Sequence, residues 1–182
     1  DNKEEFELNW VEASAHPIGA VGLWNSMIKI IKMAKEKGDD IIVICEDDHY
    51  FTENYSPKLL FKEVTEAYIQ GAEVLSGGIG GFGQAIPAGY HRYKVDWFWC
   101  TQFIVIYNRF FDKMLDYSFQ NTDTADGVIS KLATNIMVIY PFISEQKDFG
   151  YSDVTQSNME QQGKIREHFA RANKHMKSIS LK

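Results

Sequence analysis

A long apolar run is followed directly by a cluster of acids in Ile41-Ile42-Val43-Ile44-Cys45-Glu46-Asp47-Asp48-His49. Its five apolar, mostly β-branched residues predict a strand buried on both faces, as in the middle of a parallel sheet. Three carboxylates and a histidine follow that strand directly. They are therefore expected at the carboxyl edge of the sheet, where open α/β folds bind their ligands.

The acidic end of this stretch has two interpretations. Glu46, Asp47 and Asp48 repel one another and are costly to bury unless a cation or hydrogen-bond donors compensate them. Mg²⁺ and Mn²⁺ bind one or two protein carboxylates together with phosphate oxygens of a substrate. The functional interpretation is a divalent-metal site that receives a phosphorylated substrate. The alternative is a solvated acidic loop after a strand.

Length and composition limit the classes of protein to consider. With 182 residues, of which 45% are apolar, the chain is expected to fold as one globular domain over residues 1–182. A net charge of −6 argues against nucleic-acid binding. No apolar run is long enough for a transmembrane helix, and the first residues do not resemble a signal peptide. Cys45 and Cys100 are interpreted as small buried hydrophobes, which favours a reducing, cytoplasmic location.

The order of predicted elements indicates the fold class. Helical periodicity covers 20–37, and a second helix is expected over 56–70, with Ser56 as N-cap and Gly71 at its end. Shorter helices are expected over 109–115 and 127–133. Further strands are predicted from apolar or alternating runs, at 6–11, 74–76, 97–107 and 136–141. Alternating strands and helices predict an α/β fold with a mainly parallel central sheet flanked by helices.

A glycine-rich segment, 77–83, follows the short strand at 74–76. No helix pattern comes after it, so it matches neither the dinucleotide-binding fingerprint nor the P-loop. We interpret it as a place of close backbone approach to a ligand or as a mobile lid, with a simple flexible loop as the alternative. Gly78, Gly80 and Gly81 are accordingly candidate donor-binding residues.

The tail, 164–182, is predicted to form an amphipathic helix with one apolar stripe and one basic face. The basic face could lie against a diphosphate or against an anionic membrane surface that holds a lipid-linked acceptor. A helix packed on the core, with its basic face in water, is the favoured interpretation.

Several short segments occur in an order that is typical of a known enzyme family. They are Gly22-Leu23-Trp24-Asn25-Ser26, Ile44-Cys45-Glu46-Asp47-Asp48, residues 102–115, Thr124-Ala125-Asp126, and Tyr140-Pro141-Phe142 with Gln146 and Ser152-Asp153. In this order and spacing, over roughly residues 20–155, the chain resembles GT-A glycosyltransferases. Within them it is similar to family 25, which includes lipooligosaccharide-biosynthesis galactosyltransferases.

The resemblance implies a GT-A-like, Rossmann-like fold and transfer of a sugar from a nucleotide donor, above all a UDP-sugar, to a glycan or glycolipid acceptor in cell-surface polysaccharide or lipopolysaccharide biosynthesis. It implies a Mn²⁺ or Mg²⁺ ion held by Glu46 and Asp48, which stabilises charge on the leaving diphosphate. His49 is either a third ligand or a hydrogen-bonding neighbour. By strand alternation Asp47 points elsewhere, toward a ribose hydroxyl or a backbone donor.

An inverting transfer needs a carboxylate that accepts the proton of the attacking hydroxyl. Asp126, at a predicted helix start, is the first candidate and Asp123 the second, and in each case a simple helix N-cap is the alternative. Trp97, Trp99 and Tyr93 could form an aromatic platform for the acceptor, although core packing is the commoner use of such residues.

Two features keep other functions open. The opening strand and Arg-bearing loop, which hold the nucleotide base in this family, have no counterpart here, and residues 6–11 correspond better to a second strand. Either the chain lacks its beginning or the nucleotide pocket is shortened. A non-catalytic or degenerate carbohydrate- or nucleotide-binding protein is therefore one alternative. Another is a metal-dependent enzyme that cleaves phosphodiesters at the same acidic strand end. Peripheral contact with the inner face of a membrane is also open.

Overall fold

The computed structural model describes residues 4–148 and 164–180. Its helices are α1 (Gly19–Lys37), α2 (Pro57–Ile69), α3 (Asn108–Leu115), α4 (Ala125–Leu132) and α5 (Lys164–Ser180). Its strands are β1 (Ile41–Cys45), β2 (His49–Phe51), β3 (Val74–Ser76), β4 (Ala85–Pro87), β5 (Arg92–Val95), β6 (Phe103–Tyr107), β7 (Ile136–Ile139) and β8 (Ser144–Gln146).

Six strands form a central sheet in the order β1-β6-β3-β7-β5-β4, and β2 pairs with β8 in a small second sheet. The predicted α/β class, with helices flanking a central sheet, is confirmed. The predicted direction of the strands is wrong, because only β3 and β7 run parallel and the other pairs of the central sheet are antiparallel. The alternation of helices and strands predicted parallel crossovers. Instead, β6 lies antiparallel between β1 and β3, and the β4–β5 hairpin pairs with β7 and extends the sheet at the edge opposite β1.

The position of β1 also differs from the prediction. The Ile41–Cys45 strand exists, but it lies at an edge of the sheet and pairs with β6 alone. Ile44 is its one buried residue, while Ile41 and Cys45 are exposed. An unbroken apolar run indicates a strand, but it does not indicate where in the sheet that strand lies. The exposure of Cys45 also contradicts its interpretation as a buried hydrophobe.

Strand β6 is buried on both faces, since all five of its residues are buried, and β3 and β7 are likewise buried along their whole length. Ile104 and Ile106 join the core beneath α1, α3, α4 and α5, whereas Phe103, Val105 and Tyr107 join the core beneath α2. Alternate side chains of a strand point to opposite faces, so β6 contributes to both cores. The sheet is thereby held between α2 on one face and the other four helices on the other.

The helix predictions are confirmed with small shifts at the ends. The Ser56 hydroxyl accepts a hydrogen bond from the backbone N–H of Leu59 and caps α2, and Gly38 ends α1 in the left-handed conformation at φ 75°. Helix α5 buries Phe169, Ala172 and Met176. In the residues that the structure describes, no helix combines the length and apolar character needed to cross a membrane.

Some predicted elements are absent or shorter. Residues 7–11 have no regular structure, and Trp10 is 87% exposed. The strand predicted from 97 begins only at Phe103, because Cys100 adopts the left-handed conformation at φ 77°, which interrupts an extended strand. The short strands β2, β4, β5 and β8 were not predicted. Ser152-Asp153, from the family resemblance, lies outside the described residues.

The glycine-rich segment 77–83 is neither a lid nor an open cradle. A Cβ atom on Gly78 would lie 1.9 Å from the carbonyl oxygen of Ser144. A Cβ on Gly80 would lie 2.7 Å from the sulfur of Cys100, and one on Gly81 would lie 2.6 Å from the Trp99 ring. Gly78 and Gly80 are buried and Gly81 is half-buried, so the close backbone approach expected for a ligand is made by the chain's own atoms.

Gly78→Ala is therefore expected to lower the free energy of unfolding by about 3 kcal/mol, because the new methyl group collides with backbone that cannot move independently. Gly38→Ala is the matched control, since its Cβ would meet nothing within 4 Å and only its positive φ is unfavourable. We expect it to cost about 1 kcal/mol. Urea denaturation of both variants measures the difference, and equal losses would contradict the steric explanation.

Candidate active site

The acidic residues lie in a tight turn between β1 and β2. The Glu46 N–H donates to the Gln102 carbonyl at 2.9 Å, which extends the β1–β6 pairing by one step. The His49 N–H donates to the Glu46 carbonyl at 3.2 Å and closes the turn. Asp47 is exposed at its tip, while Glu46 and Asp48 are half-buried. Because β1 and β6 are antiparallel, this turn lies beside the segment that precedes β6.

That neighbouring segment provides a partner for Glu46. The Thr101 hydroxyl donates to Glu46 Oε1 at 2.6 Å. Burial raises the pKa of Glu46 to about 7, against the opposing effect of the Thr101 hydrogen bond, and Asp48, Asp47 and Asp126 raise it further. The raised pKa means that the charged form of Glu46 is unfavourable in the protein alone, so a cation beside it would stabilise the carboxylate.

Asp48 is incompletely satisfied. Its Oδ2 accepts a hydrogen bond from the Gln146 side chain at 2.6 Å, whereas its buried Oδ1 has no hydrogen-bond partner among the described residues. Burial raises the pKa of Asp48, and the Gln146 hydrogen bond opposes that rise. A buried carboxylate oxygen without a donor is unfavourable in the protein alone and can be explained by an absent ion or water.

Asp126 approaches the acidic turn from the start of α4. Its Oδ2 accepts a hydrogen bond from the Cys100 N–H at 3.2 Å, and its Oδ1 accepts from the Thr124 hydroxyl at 2.6 Å and the Gly127 N–H at 2.8 Å. Thr124, not Asp126 or Asp123, is the N-cap of α4. The turn at Cys100 and Thr101 thus contacts two carboxylates from different elements, Asp126 through a backbone N–H and Glu46 through a hydroxyl.

Sequence reasoning did not identify Cys100 or Thr101 as members of this site. A positive φ at a non-glycine residue has no signal in the sequence, and such strain is often found at functional sites. Gln146 had been noticed only through the family resemblance.

His49 is held on two sides. Its Nδ1 lies 2.9 Å from the Ser144 hydroxyl, and its ring packs against Phe51 and Phe103, with centroids at 4.5 and 5.0 Å. Burial, together with the charge of Lys147, lowers the pKa of His49 to about 4. The imidazole is therefore neutral at physiological pH, and its contacts pack the end of the acidic turn against β8 and β6.

The other predicted residues are dispersed. Asp123 accepts hydrogen bonds from the Tyr117 hydroxyl at 3.1 Å and the Gln120 N–H at 2.8 Å, which stabilise its own loop. Trp97 and Trp99 lie together, with ring centroids 5.1 Å apart, and Trp99 is 47% exposed. Tyr93 does not join them, because it is buried in β5 and packs against Tyr140.

A groove of ≈ 810 Å³ opens between the β2–β8 sheet and α5. Its lining includes Gln146, the partner of Asp48, and it carries charges of both signs from Glu145, Lys147, Asp148 and Arg166. The acidic turn is therefore connected to this groove through the Asp48–Gln146 hydrogen bond.

Glu46 and Asp48 are the candidate ligands for a divalent cation. In the described part of the chain, no group of three or more His, Cys, Asp or Glu side chains is arranged to hold a metal ion. Mg²⁺ and Mn²⁺, however, need only one or two protein carboxylates when a substrate supplies further oxygens. Glu46 and Asp48 offer such oxygens, with raised pKa values and one buried oxygen without a donor.

The raised pKa of Glu46 predicts a pH dependence of stability. The folded state binds the Glu46 proton more tightly than the unfolded state does. The free energy of unfolding therefore falls as pH rises from 4.5, the usual pKa of a glutamate, to about 7. Glutamine does not titrate, so with chelator present the Glu46→Gln variant should lose about 3 kcal/mol less free energy of unfolding over this pH range than the wild type. Urea denaturation at about pH 5 and about pH 8 measures it. Glu36→Gln, at an exposed carboxylate of α1, is the control. An unchanged pH dependence in Glu46→Gln would contradict the assignment.

Comparison with known proteins identifies distant structural similarity. No protein-family model matches the sequence, and no curated protein matches it. Two solved structures of UDP-glucose pyrophosphorylase are similar to the chain, one apo and one complexed with UDP-glucose. Their identities are 10% and 9%, with TM-scores of 0.47 in both. The alignments cover 85% and 88% of this chain but 61% and 64% of those chains, so this chain spans less than two thirds of their length.

Proposed function

We propose that the chain is a metal-dependent glycosyltransferase that moves a sugar from a nucleotide-sugar donor to a glycan or lipid-linked acceptor with inversion. The observation that carries the proposal is the pair Glu46 and Asp48. Both are half-buried, their pKa values are raised, and one Asp48 oxygen has no donor among the described residues. Such a pair is suited to a divalent cation shared with phosphate oxygens.

The proposal assigns the remaining catalytic and binding roles to residues beside this pair. A divalent metal, when bound by Glu46 and Asp48, supplies positive charge for a leaving nucleoside diphosphate. Asp126, held by three donors beside the same turn, accepts the proton of the acceptor hydroxyl. The exposed Asp47 is assigned to binding a ribose hydroxyl of the nucleotide-sugar donor. The order of motifs, which resembles that of family 25, supports a UDP-sugar as donor and cell-surface glycolipid synthesis as the pathway class.

The acceptor side of the proposal rests on the aromatic pair. Trp97 and Trp99 present flat rings at the surface, and rings of this kind pack against the C–H faces of sugars. The buried Tyr93 is no longer assigned to this role. Gly78, Gly80 and Gly81 are also no longer assigned to donor binding, because the space beside each Cα is occupied by other atoms of the chain.

Product analysis tests the proposal against its alternatives. The chain is incubated with a panel of nucleotide sugars and glycan acceptors, with Mn²⁺ or with chelator, and the nucleotide product is identified. Metal-dependent release of nucleoside diphosphate with a glycosylated acceptor supports transfer. Release of nucleoside monophosphate without transfer would replace the proposal with phosphodiester cleavage. Binding without any product would replace it with a non-catalytic binding function.

A further inference from the structure

Helix α5 separates its residues into a buried stripe and a basic outer face. Phe169, Ala172 and Met176 are buried against the core. Four cations lie on the exposed side: Arg166, Arg171, Lys174 and Lys177. At 100° per residue these four fall within one half of the helix circumference, centred opposite the buried stripe.

The charge of this face contrasts with that of the whole protein. Between Lys164 and Ser180 the sequence has five basic residues and one acidic residue, Glu167, in a chain of net charge −6. A positive face on an acidic molecule creates a strong dipole, which turns that face toward an anionic surface and the rest of the molecule away from it.

Exposed aromatic residues flank α5 on both sides. Tyr50, 37% exposed, lines the groove together with Arg166 and Asn173. On the opposite flank Trp99, 47% exposed, packs edge-on against His168 with ring centroids 5.5 Å apart. Tyrosine and tryptophan beside basic residues are typical of surfaces at the headgroup level of a bilayer.

We propose that the outer face of α5 docks on a bilayer with anionic headgroups. Arg166, Arg171, Lys174 and Lys177 contact the lipid phosphates, and Tyr50 and Trp99 lie at headgroup level on either side. The helix exposes no apolar stripe, so it lies on the bilayer and does not insert. Tyrosine and tryptophan at the two edges of a basic face are typical of a surface at headgroup level. Bases can also stack on aromatic rings, so binding to a nucleic acid is an outcome that the experiment below distinguishes.

Docking in this orientation would place the groove beside the docked face, with Arg166 at their common edge. Gln146 lines that groove and bonds Asp48, so the headgroup of a lipid-linked acceptor would enter beside the acidic turn. This last step rests on the proposed function, whereas docking itself does not.

Vesicle co-sedimentation of the whole chain tests the docking. The vesicles contain phosphatidylcholine with or without phosphatidylglycerol, at low and at high salt. We expect binding only with the anionic lipid, weakened by salt. Arg171→Glu/Lys174→Glu/Lys177→Glu should lower the partition coefficient by well over about 100-fold, because each lost cation near an anionic surface costs about fivefold and each new carboxylate is also repelled. The triple variant with glutamine at the same positions should show an intermediate loss and guards against misfolding of the first.

The matched control reverses three exposed lysines of α1 and α2, Lys29→Glu/Lys32→Glu/Lys58→Glu, and should retain binding. If the Lys29/Lys32/Lys58 variant lost as much vesicle binding as the glutamate variant of α5, net charge and not the face of α5 would explain binding, and the proposal would be overturned. Absence of binding to anionic vesicles, or equal binding to neutral vesicles, would also overturn it, as would binding to DNA or heparin alone. Because this assay contains no donor or metal, its failure is distinguishable from failure of the glycosyltransferase proposal.

Discussion

Asp126→Asn should lower sugar transfer by about 10²- to 10⁴-fold while donor binding is retained. The expectation follows from the role of Asp126 as proton acceptor, since an amide has no basic oxygen. All three partners of Asp126 are donors, so the asparagine NH₂ must face one of them. We expect this mismatch to cost about 1–3 kcal/mol of stability. Turnover is therefore measured below the melting temperature of the variant, which a thermal melt establishes first.

Asp123→Asn is the matched control for this prediction. Asp123 was the second candidate for the base, but it bonds Tyr117 and Gln120 within its own loop. We expect near-normal transfer from this variant. Normal transfer by Asp126→Asn would show that Asp126 is not the base and only stabilises the start of α4. Loss of transfer in Asp123→Asn alone would show that Asp123 is the base instead.

Arg92→Met should lower the free energy of unfolding by about 3–5 kcal/mol. Arg92 on β5 and Glu63 on α2 form an ion pair in which both side chains are 0% exposed, and Glu66 accepts a further hydrogen bond from Arg92 at 3.3 Å. Without the guanidinium, the Glu63 carboxylate is buried without a counter-charge. Its Oε1 already has no partner among the described residues, so nothing nearby compensates the loss.

The double variant Glu63→Leu/Arg92→Met separates the cost of an unpaired charge from the loss of packing. It should recover most of the lost stability, because apolar residues of similar size can replace a buried ion pair. Lys62→Met is the control at an exposed cation, 3.9 Å from Glu66, and should change stability by less than about 0.5 kcal/mol. Urea denaturation measures all three. A loss below about 1 kcal/mol in Arg92→Met would contradict the buried-pair interpretation.

The helices were predictable because their signals are local. Ser56 and Pro57 define the start of α2, and Gly38 defines the end of α1, through contacts within one turn of the chain. The strand at 41–45 was predictable for the same reason. Its edge position was not, because that depends on β6 inserting antiparallel between β1 and β3, which is a non-local pairing.

The candidate site was predictable only in its acidic half. The run from Glu46 to Asp48 is visible in the sequence, and the prediction that it ends a strand is confirmed. Thr101 and Cys100 reach the acids because the chain turns at a left-handed residue before β6, and no sequence pattern indicates such a turn at a cysteine. The glycines of 77–83 suggested a ligand, but glycine also permits one part of a chain to pack closely against another, as it does here.

Donor binding should require both a metal and Asp48, and a thermal-shift measurement shows whether it does. The wild-type chain, Asp48→Asn and the control Asp39→Asn, at an exposed carboxylate before β1, are each heated with a panel of nucleotide sugars, with Mn²⁺ or chelator. At about 100-fold excess over its dissociation constant, a true donor stabilises the fold by roughly 2.7 kcal/mol. We predict this shift in the wild type and Asp39→Asn only with Mn²⁺, and none in Asp48→Asn. An equal shift in Asp48→Asn, or no shift in any protein with any donor, would contradict the account.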